Sequence, residues 1–188
     1  MAVDKKFFFD HVRGPLFVGS LSETQVATME AIIDSFSGSY DQLAYILATP
    51  YHEVGRDLAP ISENLNYRAE RMMEVWPSRF KTLSSARPYE HNPEALGNKV
   101  YGGRLGNDAH EGYRYRGRGL SQITGKANYA KFGKLLHIDL VANPDLALTP
   151  SVAARILVVG MNDGLFTGKK LSAYVGAGLV DYVNARRV

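Results

Sequence analysis

Two glutamates, Glu53 and Glu63, have the residue type and spacing that best suit acid–base chemistry in this chain. Glu53 falls in the last turn of a predicted amphipathic helix, which is capped by Asp41 and stops at Gly55. The negative end of the helix dipole and partial burial both disfavour the charged carboxylate there, so we expect a protonated general acid. Glu63 follows a turn at Pro60 and should be better solvated. Two carboxylates in unlike environments suit hydrolysis of a glycosidic bond.

Composition indicates an ordinary globular protein. The chain has 188 residues, of which 45% are hydrophobic and 22% charged, which suits a single domain over residues 1–188. It has no cysteine, which excludes disulfides and thiolate metal sites. We expect no metal and no cofactor, because the five histidines lack the spacing of metal ligands. They are His11, His52, His91, His110 and His137.

Charge and hydropathy restrict the partners. A net charge of +3 favours approach to a polyanion such as a bacterial wall, but the basic and aromatic run YRYRGRG is too short to predict nucleic-acid binding. No stretch is apolar enough for a signal peptide or a membrane span. We therefore expect a monomer that is made in the cytoplasm and does not insert into a membrane.

Helical periodicity predicts a mainly α chain. Ser22 and Gln25 have the spacing of a capping box, and Asn92-Pro93 suits the start of a short helix. The alternation of Tyr and Arg from Tyr113 to Arg116 predicts a short strand or hairpin. The predicted helices cover residues 22–38, 65–76, 92–100, 126–136 and 150–161, with two short helical pieces in 169–188.

A second stretch, YRYRGRGLSQITGKANY at residues 113–129, combines glycines with short polar groups. Such side chains hydrogen-bond sugar hydroxyls and N-acetyl groups or hold a nucleophilic water, although the same pattern suits a polar turn before a helix. The candidates are Gln122, Thr124 and Asn128, with the aromatic Tyr129 beside them.

Several segments together resemble one family. YRGRGLSQITGKANY resembles the signature of glycoside hydrolase family 19, and LATPYHEVG resembles that family's catalytic helix, with Glu53 at the position of its acid. The segments ISE around Glu63, NPEALGNKVYGGRLGN, VANPDLAL and VNARRV are similar to the phage endolysin branch of the family. The similar segments follow in order from about Ser22 to the end of the chain.

The resemblance implies a mainly α, lysozyme-like α+β fold with two helical lobes around a cleft and a small β-hairpin. It implies inverting hydrolysis of β-1,4 bonds between N-acetylated sugars, with Glu53 as the acid and Glu63 as the base that activates water. Asp57 competes with Glu63 for that role.

The resemblance also implies the residues that bind substrate. Gln122, Thr124 and Asn128 would line the cleft, with the Thr124 hydroxyl and the Asn128 amide positioning the attacking water. Tyr129 would form part of the sugar-binding wall. His52 directly precedes Glu53, and we expect it to bind substrate and to orient or pack beside the acid.

The implied substrate is peptidoglycan, which an endolysin reaches after its release during phage lysis. Chitin is the alternative, because both polymers are β-1,4-linked N-acetylated sugars and differ in the lactyl-peptide branch. A catalytically inactive glycan-binding member is a further alternative. It is suggested by Val54 where many relatives have threonine, by Pro50 in the helix, and by an end at Val188 that suits a truncated chain.

Overall fold

The computed structural model describes residues 2–188, which form two compact units. The first unit contains the chain up to Ile61, together with Gly119–Ser121 and Ala147–Val188. The second contains Ser62–Arg118 and Gln122–Leu146. Each unit is built mainly from helices and has its own apolar core.

Eight α-helices and four short strands lie within residues 2–188. In chain order the helices are α1 (Lys5–Phe17), α2 (Glu23–Ser35), α3 (Tyr40–Glu53), α4 (Ala69–Val75), α5 (Leu83–Ala86), α6 (Pro93–Tyr101), α7 (Lys126–Leu136) and α8 (Pro150–Asp163). The strands are β1 (Ile61–Ser62), β2 (Arg118–Gly119), β3 (Val175–Gly176) and β4 (Leu179–Val180). Short 3-10 turns cover Arg87–Tyr89, Pro144–Leu148, Leu171–Ala173 and Asn184–Arg187.

The strands form two small sheets. Strands β1 and β2 form one, and β3 and β4 form an antiparallel hairpin with Val175 opposite Val180. The prediction of a mainly α fold with a small β-hairpin is therefore confirmed. The expected place of the hairpin is wrong, because residues 113–116 form turns closed by the Tyr115 N–H on the Glu111 carbonyl.

The hairpin replaces the helical pieces predicted in the tail. Ala177 and Gly178 both have positive φ values, 51° and 84°, which is the backbone that a tight two-residue hairpin turn requires. The Gln42 side chain donates to the Val175 carbonyl at 2.8 Å and so ties this hairpin to α3. Only two 3-10 turns of the predicted helical structure remain.

The first unit is organised around α2, α3 and α8. Ile32, Ile46 and Leu157, one from each helix, are 0 to 1% exposed and belong to the same apolar cluster. Burying such a side chain contributes about 1.5–3 kcal/mol. The predicted capping box of α2 is confirmed, since Gln25 N–H donates to the Ser22 hydroxyl at 3.2 Å and the Gln25 amide oxygen accepts from Ser22 N–H at 2.7 Å.

Helix α3 has a different start from the predicted one. Its N-cap is Ser39 and not Asp41, because Ser39 and Gln42 form a second capping box with bonds of 3.2 and 3.3 Å. Asp41 lies in the first turn, where its charge is favourable to the helix dipole. The helix is continuous through the buried Pro50.

The second unit is organised around α4 and α6. Leu65, Met72, Phe80 and Leu96 form its apolar cluster and are at most 1% exposed. The helix predicted from residue 65 begins only at Ala69, because the Asn64 side chain accepts the Asn66 N–H at 2.9 Å and holds a local turn.

The other helix predictions are close to the structure. Helix α7 covers the predicted residues, and α8 begins at Pro150 as predicted. The Asn92 side chain caps α6, with Pro93 in the first turn. Helix α1 was not predicted. Within residues 2–188 no helix combines the length and the apolar character that crossing a membrane requires.

The capping box of α3 gives a first prediction. Replacing Ser39 with alanine should lower the free energy of unfolding by about 1 kcal/mol, because the Gln42 N–H loses its acceptor. Urea unfolding should measure this loss, with Ser37→Ala as the control, since Ser37 is exposed in the same loop. Equal stability of the two variants would show that the box does not stabilise α3.

Candidate active site

Glu53 is the last residue of α3. The helix ends there because Val54 is its C-cap and Gly55 adopts a φ of 91°, which favours glycine. The side chain of Glu53 is exposed, so the predicted partial burial is wrong: the buried stripe of α3 ends at Pro50, one turn earlier. Within residues 2–188 the carboxyl group has no hydrogen bond or ion pair, which leaves it open to solvent and to a ligand.

Tyr45 of α3, which the sequence analysis missed, feels the charges of Glu53 and of Arg186. Burial raises the pKa of the Tyr45 phenol, the Arg186 charge opposes the rise, and the Glu53 charge adds to it. Both charged groups therefore act on the same phenol in the first unit. The Tyr45 ring also stacks on Tyr182, with 6.0 Å between centroids. In the sequence, only the spacing of eight residues on one predicted helix could have indicated that Tyr45 and Glu53 interact.

His52 and Asp57 are both exposed on the first unit. His52 precedes Glu53 in α3, and Asp57 lies in the loop that follows Gly55. Nothing in the structure distinguishes their roles, so the substrate-binding role of His52 and the alternative role of Asp57 as base stay predictions.

Glu63 lies in the second unit, directly after β1, where its backbone N–H donates to the Gly117 carbonyl at 2.8 Å. Its side chain is half-buried, so the expectation that it is better solvated than Glu53 is wrong. One carboxylate oxygen, Oε1, accepts from the Tyr101 hydroxyl at 2.7 Å, and the other, Oε2, accepts from Gly117 N–H at 3.2 Å. The carboxylate is therefore held at both oxygens.

Tyr101, the last residue of α6, was missed by the sequence analysis. Burial raises the pKa of its phenol, and the hydrogen bond and charge of Glu63 raise it further. The phenol therefore keeps its proton well above neutral pH and stays a donor to Glu63. Its position in the segment NPEALGNKVYGGRLGN was the only signal in the sequence.

The predicted polar residues converge on Gly117. A Cβ added there would lie 2.9 Å from Gln122 Oε1, 3.3 Å from Thr124 Oγ1 and 3.4 Å from Glu63 Cβ. A bridge between Arg118 and Ile123 folds the chain back so that these groups meet. A side chain at this position would displace the Gln122 amide. The structure thus places Glu63, Gln122 and Thr124, which come from two separate stretches of the chain, around Gly117.

Asn128 joins the same group from the first turn of α7. Its Nδ2 donates to the Thr124 carbonyl at 2.8 Å, which leaves the amide oxygen as an acceptor. Thr124 Oγ1 donates to the Gln122 carbonyl at 3.1 Å and keeps its lone pairs. Both half-buried side chains can therefore accept hydrogen bonds from a water or a sugar hydroxyl.

Tyr129 is a correction to the predicted site. Its ring is 0% exposed, so it offers no surface to a sugar and the wall role is wrong. The hydroxyl donates to the Arg116 carbonyl at 2.7 Å and accepts from Arg118 at 3.0 Å. Arg118 is itself 3% exposed and pairs with Asp145 at 2.7 Å. The buried Arg118 and Tyr129, with the exposed Asp145, support the loop that carries Gly117.

No set of three or more His, Cys, Asp or Glu side chains among residues 2–188 could hold a metal ion. The residues around Gly117 offer a positioned carboxylate with hydroxyl and amide groups beside it.

Comparison with known proteins supports the resemblance. Over 119 residues the chain is 40% identical to a glycosyl hydrolase family 19 domain-containing protein of Haemophilus influenzae. Over that stretch the chain is similar to a glycosyl hydrolase family 19 domain. That match covers 59% of the chain and 59% of the relative, so the chain spans about three fifths of that protein's length. The predicted resemblance to the family is confirmed, and the endolysin branch stays a prediction.

Two further matches are shorter or weaker. A 40-residue segment, 21% of the chain, is 50% identical to Chitinase 8 of Oryza sativa subsp. japonica and covers 15% of it. A crystal structure of a chitinase C mutant aligns with 76% of the chain and 66% of its own length, at 22% identity and a TM-score of 0.40. A TM-score of that size does not establish a shared fold. No family model matches the chain.

The Tyr101–Glu63 bond gives a second prediction. Tyr101→Phe should lower the free energy of unfolding by about 1.5 kcal/mol at pH 8, because a hydrogen bond to a carboxylate is lost. The phenol pKa is raised in the folded protein, so this stabilisation is present below the ordinary value of 10.0 and is lost as the pH rises further. The difference between wild type and variant should therefore shrink above pH 10.

The matched control is Tyr89→Phe, since Tyr89 packs against the same apolar cluster and its hydroxyl has no partner within residues 2–188. Urea unfolding at pH 8 and at pH 10.5 to 11 measures both variants. A Tyr101→Phe loss no larger than that of the control would show that the bond is not stabilising.

Proposed function

We propose that this chain is an inverting glycoside hydrolase of family 19 that cleaves the β-1,4 bonds of bacterial peptidoglycan between N-acetylated sugars. The observation that carries the proposal is the Glu63 carboxylate held by Tyr101 and Gly117 beside Gln122 and Thr124. The identity to a family 19 domain supports the class of enzyme.

Glu63 is the base in this mechanism. Each of its oxygens accepts one hydrogen bond and keeps a lone pair for a water molecule. Thr124 Oγ1 and the Asn128 amide oxygen are the acceptors that orient that water. The Glu63 carboxylate removes one proton from the water while the oxygen of the water attacks the anomeric carbon.

Glu53 is the acid. Its carboxyl group makes no internal hydrogen bond, so it is free to give its proton to the glycosidic oxygen as the bond to the anomeric carbon breaks. Water thus supplies the new hydroxyl on one sugar, and Glu53 supplies the hydrogen on the other. Attack from the opposite face inverts the anomeric carbon.

The choice of peptidoglycan depends on the endolysin-like segments and on the positive net charge of +3, which favours an anionic wall. In this proposal the protein acts on the wall after its release from the cell that makes it. Chitin is the second candidate, favoured by the segment that is 50% identical to a plant chitinase.

The proposal predicts that Glu53→Gln loses at least nine tenths of lytic activity while its free energy of unfolding stays within about 1 kcal/mol of wild type, because an exposed acid contributes little to packing. Turbidity of a peptidoglycan suspension measures lysis, with Glu94→Gln as a control at another exposed glutamate. Mass spectrometry of the fragments identifies the bond that is cut. Residual activity above a tenth of wild type would move the acid elsewhere.

Glu63→Gln should remove most of the rate and the acidic limb of a bell-shaped pH profile, because the base is then absent. Azide, which needs no base, should restore part of the rate. A variant that keeps both its rate and its acidic limb would assign the base to Asp57. Proton NMR of the first product formed tests inversion of the anomeric carbon.

A further inference from the structure

The guanidinium group of Arg116 is held in a fixed place without a carboxylate partner. Its central carbon lies 4.2 Å from the centroid of the Tyr113 ring, and Nη1 donates to the Tyr113 carbonyl at 3.0 Å. Within residues 2–188 no Asp or Glu forms an ion pair with it. The side chain is half-buried, so part of its hydration is lost and most of its five N–H donors are unused.

The two neighbouring arginines each make several hydrogen bonds or an ion pair. Arg114 donates to the Val141 and Ala142 carbonyls at 3.2 and 2.7 Å. Arg118 is buried and pairs with Asp145. Arg116 therefore differs from both, since the fold orients its guanidinium group but supplies no anion.

The backbone of Arg116 is fixed next to Gly117 and Glu63. Its carbonyl accepts from the Tyr129 hydroxyl at 2.7 Å, and the next residue, Gly117, donates to Glu63. Arg116 is therefore the residue next to the one whose N–H binds the proposed base, Glu63.

We propose that Arg116 binds a carboxylate on the branch of the glycan substrate and so selects an anionic glycan over a neutral one. The inference depends on the proposed function. Peptidoglycan carries carboxylates on its lactyl-peptide branches, whereas chitin carries none. The planar guanidinium fork pairs with a carboxylate through two parallel hydrogen bonds, and the Tyr113 ring limits competition from water on one face.

The test compares three substrates: soluble peptidoglycan strands, the same strands with their carboxylates converted to amides, and chitin oligosaccharides. Arg116→Gln should raise KM at least tenfold on the untreated strands, with kcat within twofold of wild type. On the amidated strands and on chitin oligosaccharides, the KM of Arg116→Gln should lie within twofold of the wild-type KM. Amidation should raise the wild-type KM by a similar factor and should add little to the effect of the variant.

Arg104→Gln is the matched control, since Arg104 is an exposed arginine of the same unit and its loss removes one positive charge. Its KM should stay within twofold of wild type on every substrate. Arg116→Lys keeps the charge without the fork and should fall between wild type and Arg116→Gln. This second variant also decides the question should Arg116→Gln fail to fold, as circular dichroism would show.

Equal effects of the Arg116 variants on charged and neutral glycans would overturn the proposal, as would an Arg104→Gln effect of the same size. Amidation removes the carboxylates but leaves any wall phosphates charged. If Arg116→Gln still raised KM on the amidated strands, Arg116 would bind another group and the proposal would be overturned. A wild type that cleaves no glycan refutes the proposed function alone. Pelleting of the protein with insoluble peptidoglycan, untreated or amidated, then decides the role of Arg116 without catalysis.

Discussion

The arrangement of the second unit depends on one carboxylate, that of Glu63. Its two oxygens join the end of α6, through Tyr101, to the glycine loop, through Gly117. Because Gly117 has no Cβ, the Gln122 and Thr124 side chains approach the same point. A half-buried carboxylate needs donors of this kind, and the donors in turn fix where the surrounding polar groups lie.

The loop that presents Gly117 is held by a second polar group, in which two members are buried and the carboxylate is exposed. Arg118, Tyr129 and Asp145 form it, and the Arg118 guanidinium also donates to the Arg114 carbonyl at 2.7 Å. A buried guanidinium is stable only when its charge and its donors are satisfied, so this group tolerates little change. Tyr115 and Arg118 of this run are therefore structural, since both are buried.

The two carboxylates differ in the sense opposite to the expected one. Glu53 is exposed at the end of α3, and Glu63 is half-buried and hydrogen-bonded. The prediction was made from helix position and apolar spacing alone, which do not reveal that the buried stripe of α3 ends at Pro50. In the proposed mechanism a bound glycan supplies the burial of Glu53 that the protein alone does not.

The sequence by itself determined the helical character, the capping box of α2, the starts of α6 and α8, and the family resemblance, because these depend on local hydrogen bonds and on spacing along the chain. Only the tertiary structure decided that Tyr101 holds Glu63, that Tyr129 is buried, and that residues 113–116 form turns. The first two depend on contacts between residues far apart in the chain, and the turn is anchored by the Tyr113 N–H on the Asn98 side chain in addition to its local bonds. Local pattern carries no information on them, since the partner that satisfies a polar group is chosen only when the chain packs.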